Sequence, residues 1–236
     1  MSLPGGSHRG PGLESARPSR RTFAAAAVST AAAVWVAPSV IGLDKVAAAS
    51  PSGPPAFSYT EDFQGAIGNA SVSWSNVSTD TAPADPSRRF LGQFANNTAV
   101  NMTVALPAHT TVSLAFDLIT IRSWDGSNVG SFNDRFQVHV DGVRVMNESF
   151  AAAFVTAAGR LQTYGPNPTN PPVTDAVEVN TLGYAWRGNP ADAVYRIEIP
   201  NIAHTAGAVT VRFRGRNLQG LSDESWGIDN VSFTAC

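Results

Sequence analysis

The sequence predicts an all-β fold, an antiparallel β-sandwich of about ten strands with jelly-roll topology. Apolar residues alternate with polar ones along many short segments, and turn-forming residues separate those segments. Many short antiparallel strands joined by turns are typical of sandwiches and barrels. Beyond the first 49 residues no stretch keeps a helical period, and only residues 150–158 are ambiguous between strand and helix.

The first 49 residues are interpreted as an export signal and not as part of the fold. Arg20 and Arg21, with an aromatic residue two places later, fit the twin-arginine pattern. The alanine-rich run that follows, residues 23–37, is too short and too weakly hydrophobic to span a membrane. Residues 47–49 form a small-residue cleavage site. We expect bacterial export by the twin-arginine route to the periplasm, cell surface or medium, and no membrane span in the mature chain. An ordinary secretory signal is the alternative.

After a Pro/Ser/Gly linker at residues 50–56, residues 57–236 are predicted to form one β-sandwich domain. A compact domain of that size buries ~70% of its unfolded surface, so it needs no disulfide bond. Cys236 is the single cysteine, and an intrachain disulfide is therefore excluded.

The charge of the chain argues against a nucleic-acid partner, because such a partner needs a concentrated basic surface. The formal net charge is −2, and 14% of the residues are charged. Arg212, Arg214 and Arg216 alternate along one predicted strand, and we interpret them as a solvated face.

The strands are predicted from their period-2 apolar positions, and residues 159–192 interrupt this pattern with prolines. A loop of that length is usually functional or disordered. Asp141-Gly142, between two apolar runs, predicts a type I′ hairpin turn. The apolar positions are Val100, Met102, Val104 and Leu106; Val112, Leu114, Phe116 and Leu118; Phe136, Val138 and Val140; Tyr195, Ile197 and Ile199; and Val209, Val211 and Phe213.

Residues 222–233 are predicted to form an acidic turn that leads directly into the last strand. Its apolar pattern changes face between Ile228 and Val231, as a β-bulge would allow. Asp229 and Asn230 lie inside this otherwise apolar strand, where an unpaired carboxylate is costly. Backbone donors or a cation must therefore compensate Asp229.

Three segments resemble secreted jelly-roll domains of the concanavalin A-like lectin and carbohydrate-binding-module kind. Residues 222–233 resemble the closing strand, residues 57–63 the opening strand, and residues 116–136 a middle hairpin. The resemblance implies a jelly roll, a bound calcium ion and a sugar ligand. It also implies that an acid of the first strand and Asp229 of the last are calcium ligands that clip the chain ends together.

Acidic residues in predicted turns and end strands form the candidate metal site. Calcium takes six to eight oxygen ligands, which neighbouring loops of a sandwich can supply together. No EF-hand spacing is present, and the alternative role for these acids is to cap turns. The candidate ligands are Glu61, Asp62, Asp125, Asp134, Glu224 and Asp229.

Aromatic residues beside polar ones form the candidate sugar site. An exposed ring can stack on the apolar face of a pyranose while nearby polar groups hold the hydroxyls. The alternative is that the tryptophans are core residues with hydrogen-bonded indoles. The candidate ligand-binding residues are Trp124, Tyr184, Trp186, Arg187 and Asn189.

The sequence contains no H-E-x-x-H or G-x-S-x-G motif. The favoured interpretation is an exported, non-catalytic carbohydrate-binding or lectin-like module stabilised by calcium, whose partner is an extracellular or cell-wall polysaccharide. A structural or adhesive cell-surface protein without a sugar pocket is the second hypothesis. The third is a polysaccharide-active enzyme that uses paired carboxylates.

Overall fold

The computed structural model describes residues 54–127 and 133–236. The predicted twin-arginine signal, including Arg20 and Arg21, lies outside these residues. Within the described ranges no helix has the length and hydropathy needed to cross a membrane.

Fourteen strands and one short 3₁₀ helix make up the described part of the chain. The first seven strands are β1 (Phe57–Glu61), β2 (Val72–Trp74), β3 (Thr79–Ala82), β4 (Asp85–Phe94), β5 (Ala99–Ala105), β6 (Thr111–Arg122) and β7 (Arg135–Val140). The other seven are β8 (Val143–Ser149), β9 (Glu178–Val179), β10 (Ala185–Trp186), β11 (Asn189–Pro190), β12 (Asp192–Ala203), β13 (Ala208–Arg216) and β14 (Glu224–Ala235). The 3₁₀ helix covers Ala153–Ala158, in the run that the sequence left ambiguous.

The long strands form two antiparallel sheets, and the predicted antiparallel β-sandwich is confirmed. Sheet A has the order β3-β4-β14-β6-β12-β9, and β1 pairs with the far end of β14. Sheet B has the order β2-β5-β13-β7-β8. The predicted middle hairpin is wrong, because β6 belongs to sheet A and β7 to sheet B.

The core lies between the two sheets and follows the predicted alternation. Inward side chains of β5, β6, β7 and β13 are buried, and most belong to one apolar cluster with residues of β12 and β14. Trp226 lies at its centre, with the Phe94 and Phe136 ring centroids 4.9 and 5.1 Å away. Burial of such large side chains removes much apolar surface from water and stabilises the fold.

Two local predictions are confirmed by the backbone. Asp141 and Gly142 both have positive φ, 48° and 81°, as a type I′ turn between β7 and β8 requires. The register of β14 against β6 shifts between Asp229 and Ser232, which is the predicted bulge. Asn230 takes the left-handed conformation there, with φ of 47°.

The long segment at residues 159–192 is organised by two buried amide side chains. Gln162 and Asn170 are at most 1% exposed and pair through their backbones at 2.9 and 2.8 Å. The Gln162 amide also donates to the Tyr164 and Thr174 carbonyls, at 2.9 and 3.0 Å. Side-chain amides therefore replace a regular strand ladder in this segment, which ends in the small β10–β11 hairpin.

Candidate metal centre

Three of the six predicted metal ligands come together at one end of the sandwich. Asp125 follows β6, Asp134 immediately precedes β7, and Glu224 is the first residue of β14. One carboxylate oxygen from each lies within 4.8 Å of the others. Because β7 belongs to sheet B and the other two strands to sheet A, this acidic triad joins the two sheets.

The backbone after β6 turns sharply to deliver Asp125. Asp125 forms an isolated bridge with Ala151, and its N–H donates to the Asp134 carboxylate. The next residue, Gly126, has φ of +75°, and a Cβ there would lie 2.1 Å from the Leu161 carbonyl oxygen. Only glycine fits this position, so the turn that presents Asp125 depends on it.

Asp134 and Glu224 each keep one buried carboxylate oxygen without a hydrogen-bond partner. Both side chains are 0% exposed. Glu224 Oε2 accepts from the Gln219 N–H at 3.0 Å, whereas Glu224 Oε1 and Asp134 Oδ1 accept from no donor among residues 54–127 and 133–236. A buried, unpaired carboxylate oxygen is costly, so these two oxygens need a proton or a cation.

Burial, followed by the neighbouring carboxylates, raises the pKa of Glu224, and burial is also the main cause of the raised pKa of Asp134. Burial raises the pKa of Asp125 too, and Arg160 opposes that shift. The Arg160 Nη2 lies 3.4 Å from Asp125 Oδ1. Arg160 can neutralise only one of the three carboxylates. If all three were ionised, the site would therefore keep a net negative charge, which a bound cation would offset.

The donor set fits a hard cation, and calcium in particular. All three side chains offer oxygen, and neither histidine nor cysteine belongs to the group, which disfavours softer transition metals. Asn133, which precedes Asp134, also has a buried Oδ1 without a partner. Backbone carbonyls and water would complete a coordination number of six to eight. Full burial of Asp134 and Glu224 also keeps them from acting as an acid–base pair on a polymer.

The other predicted metal ligands, from β1 and β14, do not join the triad. Glu61 accepts three hydrogen bonds, from the Tyr59 hydroxyl at 2.6 Å and from the Phe63 and Gly68 N–H groups at 3.0 and 2.9 Å. Its carboxylate is therefore satisfied by the protein itself. Asp62 is exposed and accepts from the Gln64 N–H at 3.0 Å.

Asp229 is compensated within its own bulge. Its Oδ1 accepts from the Asn230 N–H at 2.8 Å, and the Arg88 Nε lies 3.9 Å from its Oδ2. Burial raises the pKa of Asp229 to about 6. The two ends of the domain are nevertheless joined, by the backbone pairing of β1 with β14 from Phe57 opposite Ala235 onward.

Two of the predicted sugar-binding aromatics are core residues. Trp124 is 0% exposed, and its indole N–H donates to the Ser225 carbonyl at 2.8 Å. Tyr184 is 5% exposed, and its hydroxyl lies 2.9 Å from an Asp80 carboxylate oxygen. Neither ring offers an open face, so the predicted stacking role does not fit them. Both have the hydrogen-bonded polar atom expected of a buried aromatic residue.

Trp186, Arg187 and Asn189 form an exposed corner on the β10–β11 hairpin. Trp186 is half-buried, while Arg187 and Asn189 are exposed. The Arg187 guanidinium lies 4.2 Å from the centre of the indole, a cation–π contact, and the Phe154 ring lies nearly parallel at 5.5 Å. This is the composition that the sequence predicted for a sugar-stacking site.

Asp223 connects the Trp186 corner to the acidic triad. Its Oδ1 accepts from the Trp186 indole N–H at 2.7 Å and from the Ser123 hydroxyl at 2.6 Å. Asp223 precedes Glu224 in the chain, and with Ser222 it borders a hollow of about 370 Å³ beside Trp186 and Arg187. Asp223 lies in the predicted acidic turn but was not among the candidate site residues predicted from the sequence.

A larger cleft, of about 510 Å³, was not predicted from the sequence. It lies between β8 and β12 and is bordered by Glu148, Tyr164, Asp175 and Glu198. The three carboxylates contribute, after burial, to the raised pKa of Tyr164. These residues are far apart in the sequence, and the only signal for the cleft was an aromatic residue within the long proline-rich segment.

No protein-family model matches the chain, and no curated protein does. Solved structures with a similar arrangement include the CBM36-1 domain of a multidomain xylanase from the hindgut metagenome of Trinervitermes trinervoides (10% identity, TM-score 0.36, 76% of this chain and 98% of that one). A family 35 carbohydrate binding module from Clostridium thermocellum has 16% identity, with 75% and 98% of the chains covered and a TM-score of 0.30. The K1 cleaved adhesin domain of Lys-gingipain from Porphyromonas gingivalis W83 has 13% identity, with 76% and 99% covered and a TM-score of 0.42.

Proposed function

We propose that this protein is an exported, non-catalytic carbohydrate-binding module, in which a calcium ion held by Asp125, Asp134 and Glu224 stabilises the sugar-contact loops. The observation that carries the proposal is the hydrogen bond from the Trp186 indole to Asp223, the chain neighbour of Glu224. A cation that orders the start of β14 also orders the partner that fixes the Trp186 ring.

The sugar would occupy the hollow beside Trp186, in the place of the Arg187 side chain. Arg187 is exposed and has several rotatable bonds, so its guanidinium can leave the indole face and donate to sugar hydroxyls. The Asp223 carboxylate and the Asn189 amide lie close by as further polar partners. An apolar face with polar groups at its rim is the usual composition of a small-ligand site.

Replacing Trp186 by alanine is expected to weaken glycan binding at least tenfold, a loss of ~1.4 kcal/mol, with little change in melting temperature. The indole supplies the stacking surface, but its half-exposed position contributes little to the core. A glycan array in calcium buffer, followed by calorimetric titration of the best ligand, measures this effect.

Two variants serve as controls for Trp186. Trp186→Phe retains a ring and should keep most of the affinity. Val177→Ala shortens a side chain that is 61% exposed elsewhere and should change neither affinity nor melting temperature. If Trp186→Ala unfolds the protein, or if it binds every glycan as well as the parent does, the corner is not the sugar site.

The export part of the proposal predicts that a precursor with Arg20→Lys and Arg21→Lys accumulates in the cytoplasm. The twin-arginine machinery reads the arginine pair itself, and two lysines keep the charge without that recognition. Fractionation followed by immunoblotting measures the result. Unchanged export of the double variant would identify the general secretory route instead.

A further inference from the structure

The outer surface of sheet B carries a concentration of positive charge that the proposed sugar site does not use. Within their described bounds, the five strands of this sheet contain five arginines and one acidic residue, Glu148. Glu148 lies in the cleft beside β12 and accepts from the Thr163 hydroxyl. We name the outer surface the basic face, and its charged members are Arg135, Arg144, Arg212, Arg214, Arg216 and the titratable His139.

The pairing of the strands places these side chains in adjacent rows. Arg212 lies opposite His139, which in turn lies opposite Arg144. One row along, Arg214 faces Gln137, and in the next row Arg216 faces Arg135. Alternate residues of a strand are ~7 Å apart and directly opposite residues ~5 Å apart, so the guanidinium groups form one continuous patch.

The arginines of the basic face have no carboxylate partner among the described residues. The ion pairs in those residues involve Arg88, Arg160, Arg196 and His204 instead. Asp134, which precedes Arg135, is buried in the acidic triad. Asp141, at the β7–β8 turn, already accepts from His204 Nε2 at 2.9 Å and from the Thr210 N–H at 2.8 Å.

Two nitrogens of the basic face, Arg214 Nε and His139 Nδ1, are buried without a hydrogen-bond partner in the described part of the chain. Burial, then Arg212 and Arg216, lowers the pKa of Arg214, and burial together with three arginines lowers the pKa of His139. Like charges this close destabilise the free protein, and an anionic ligand would relieve that cost. Guanidinium groups bind carboxylate and sulfate oxygens in pairs, which makes arginine well suited to such a ligand.

The composition of the face decides which polyanion fits. No phenylalanine, tyrosine or tryptophan points outward from β5, β7, β8 and β13, so the described face lacks the large rings on which bases of single-stranded nucleic acids stack. Its other members include Asn101, Thr103 and Thr210, whose amide and hydroxyl groups pair well with sugar hydroxyls. On these strands the exposed large apolar side chain is Val143 at the β7–β8 turn, which is not one of the large aromatic anchors that protein interfaces favour.

We propose that the basic face binds an acidic polysaccharide, one that bears uronate carboxylates or sulfate esters. The anionic groups would lie on Arg212, Arg214 and Arg216, and the polymer would follow β13. This surface is separate from the Trp186 corner, so the protein would contact a polysaccharide in two places, one selective for charge and one for the sugar ring.

The test is calorimetric titration with polygalacturonate, dextran sulfate and neutral dextran of similar length, at low and at near-physiological salt. We expect both acidic polymers to bind, with affinity falling as salt rises, and dextran to bind at least tenfold more weakly at this surface. The stronger of the two acidic polymers identifies carboxylate or sulfate as the natural group. Equal binding of neutral dextran, or tighter binding of single-stranded DNA, would overturn the proposal.

Matched variants locate the effect on this face. Arg212→Gln with Arg214→Gln should weaken binding of the acidic polymers at least tenfold, and Arg212→Lys with Arg214→Lys by less. Arg196→Gln removes one charge from sheet A and should change affinity less than twofold. Trp186→Ala should lower the affinities for acidic and neutral polymers by the same factor and leave the salt dependence unchanged, so failure of the sugar site and failure of the basic face are distinguishable. A folded double glutamine variant that retains full affinity would refute the assignment.

Discussion

Calcium is expected to raise the melting temperature of metal-free protein by about 5–11 °C, and EGTA should reverse the increase. With a dissociation constant of ~10 μM and ~1 mM free calcium, mass action stabilises the folded state by ~2.7 kcal/mol. For a domain of this size, each kcal/mol corresponds to about 2–4 °C. The ion would bind the unpartnered oxygens of Asp134 and Glu224, which otherwise remain buried without a donor. Differential scanning calorimetry of protein freed of metal measures the shift.

Two substitutions distinguish the triad from the site that the sequence favoured. Glu224→Gln should abolish the calcium-dependent shift, because it removes a negative ligand but keeps the shape of the side chain. Asp229→Ala should retain the shift, since Asp229 lies in the bulge and not in the triad. Identical melting curves in calcium and in EGTA would contradict the calcium site. Asp134 and Glu224 would then be a pair of carboxyl groups that share a proton.

The buried carboxylates of Asp134 and Glu224 also predict how the stability of the protein depends on pH. Burial raises the pKa of Asp134 and Glu224, so without metal the folded state binds more protons than the unfolded one. Stability of metal-free protein should therefore fall as the pH rises above about 4, where unfolded carboxyls lose their protons. Calcium replaces those protons, and its effect on melting temperature should be larger at about pH 8 than at about pH 5.

Trp124→Ala is expected to lower the free energy of unfolding by about 3–5 kcal/mol, the usual cost of truncating a buried aromatic residue. The ring is fully buried and meets Phe150 edge to face, with centroids 6.0 Å apart. The substitution also removes the donor to the Ser225 carbonyl. Urea denaturation, with Trp186→Ala as the matched truncation at a half-exposed site, measures the difference. If Trp124→Ala and Trp186→Ala lowered the free energy of unfolding by similar amounts, the result would contradict the burial described for Trp124.

Strand positions could be predicted from the sequence because they depend on a local pattern. The alternation in β5, β6 and β13 reports directly which side of each strand faces the core, and Asp141-Gly142 specifies its turn by itself. Sheet membership could not be read in the same way. Whether β7 pairs with β6 or crosses to the other sheet depends on contacts across the whole domain, and the hairpin prediction failed for that reason.

Three of the six metal ligands predicted from the sequence belong to the acidic triad, and the other three do not. The sequence identifies acids in turns, and six were selected, but it does not show which carboxylates the backbone already satisfies. Glu61 is saturated by its own turn, whereas Glu224 keeps a free oxygen. Likewise a tryptophan beside a charged residue has the same sequence signature in the core, as Trp124 does beside Asp125, and at the surface, as Trp186 does beside Arg187.

The position of β14 has a consequence for how the domain forms during synthesis. This strand is the last of the described strands in chain order, and it pairs with β1, β4 and β6. Until residues 224–235 leave the ribosome, sheet A exists only as disconnected pieces with open edges, which are prone to associate with other chains. The domain therefore cannot mature gradually from its N-terminus. Nascent chains halted before residue 224 should be protease-sensitive and bound by chaperones, and release of the final strand should trigger folding as a single event.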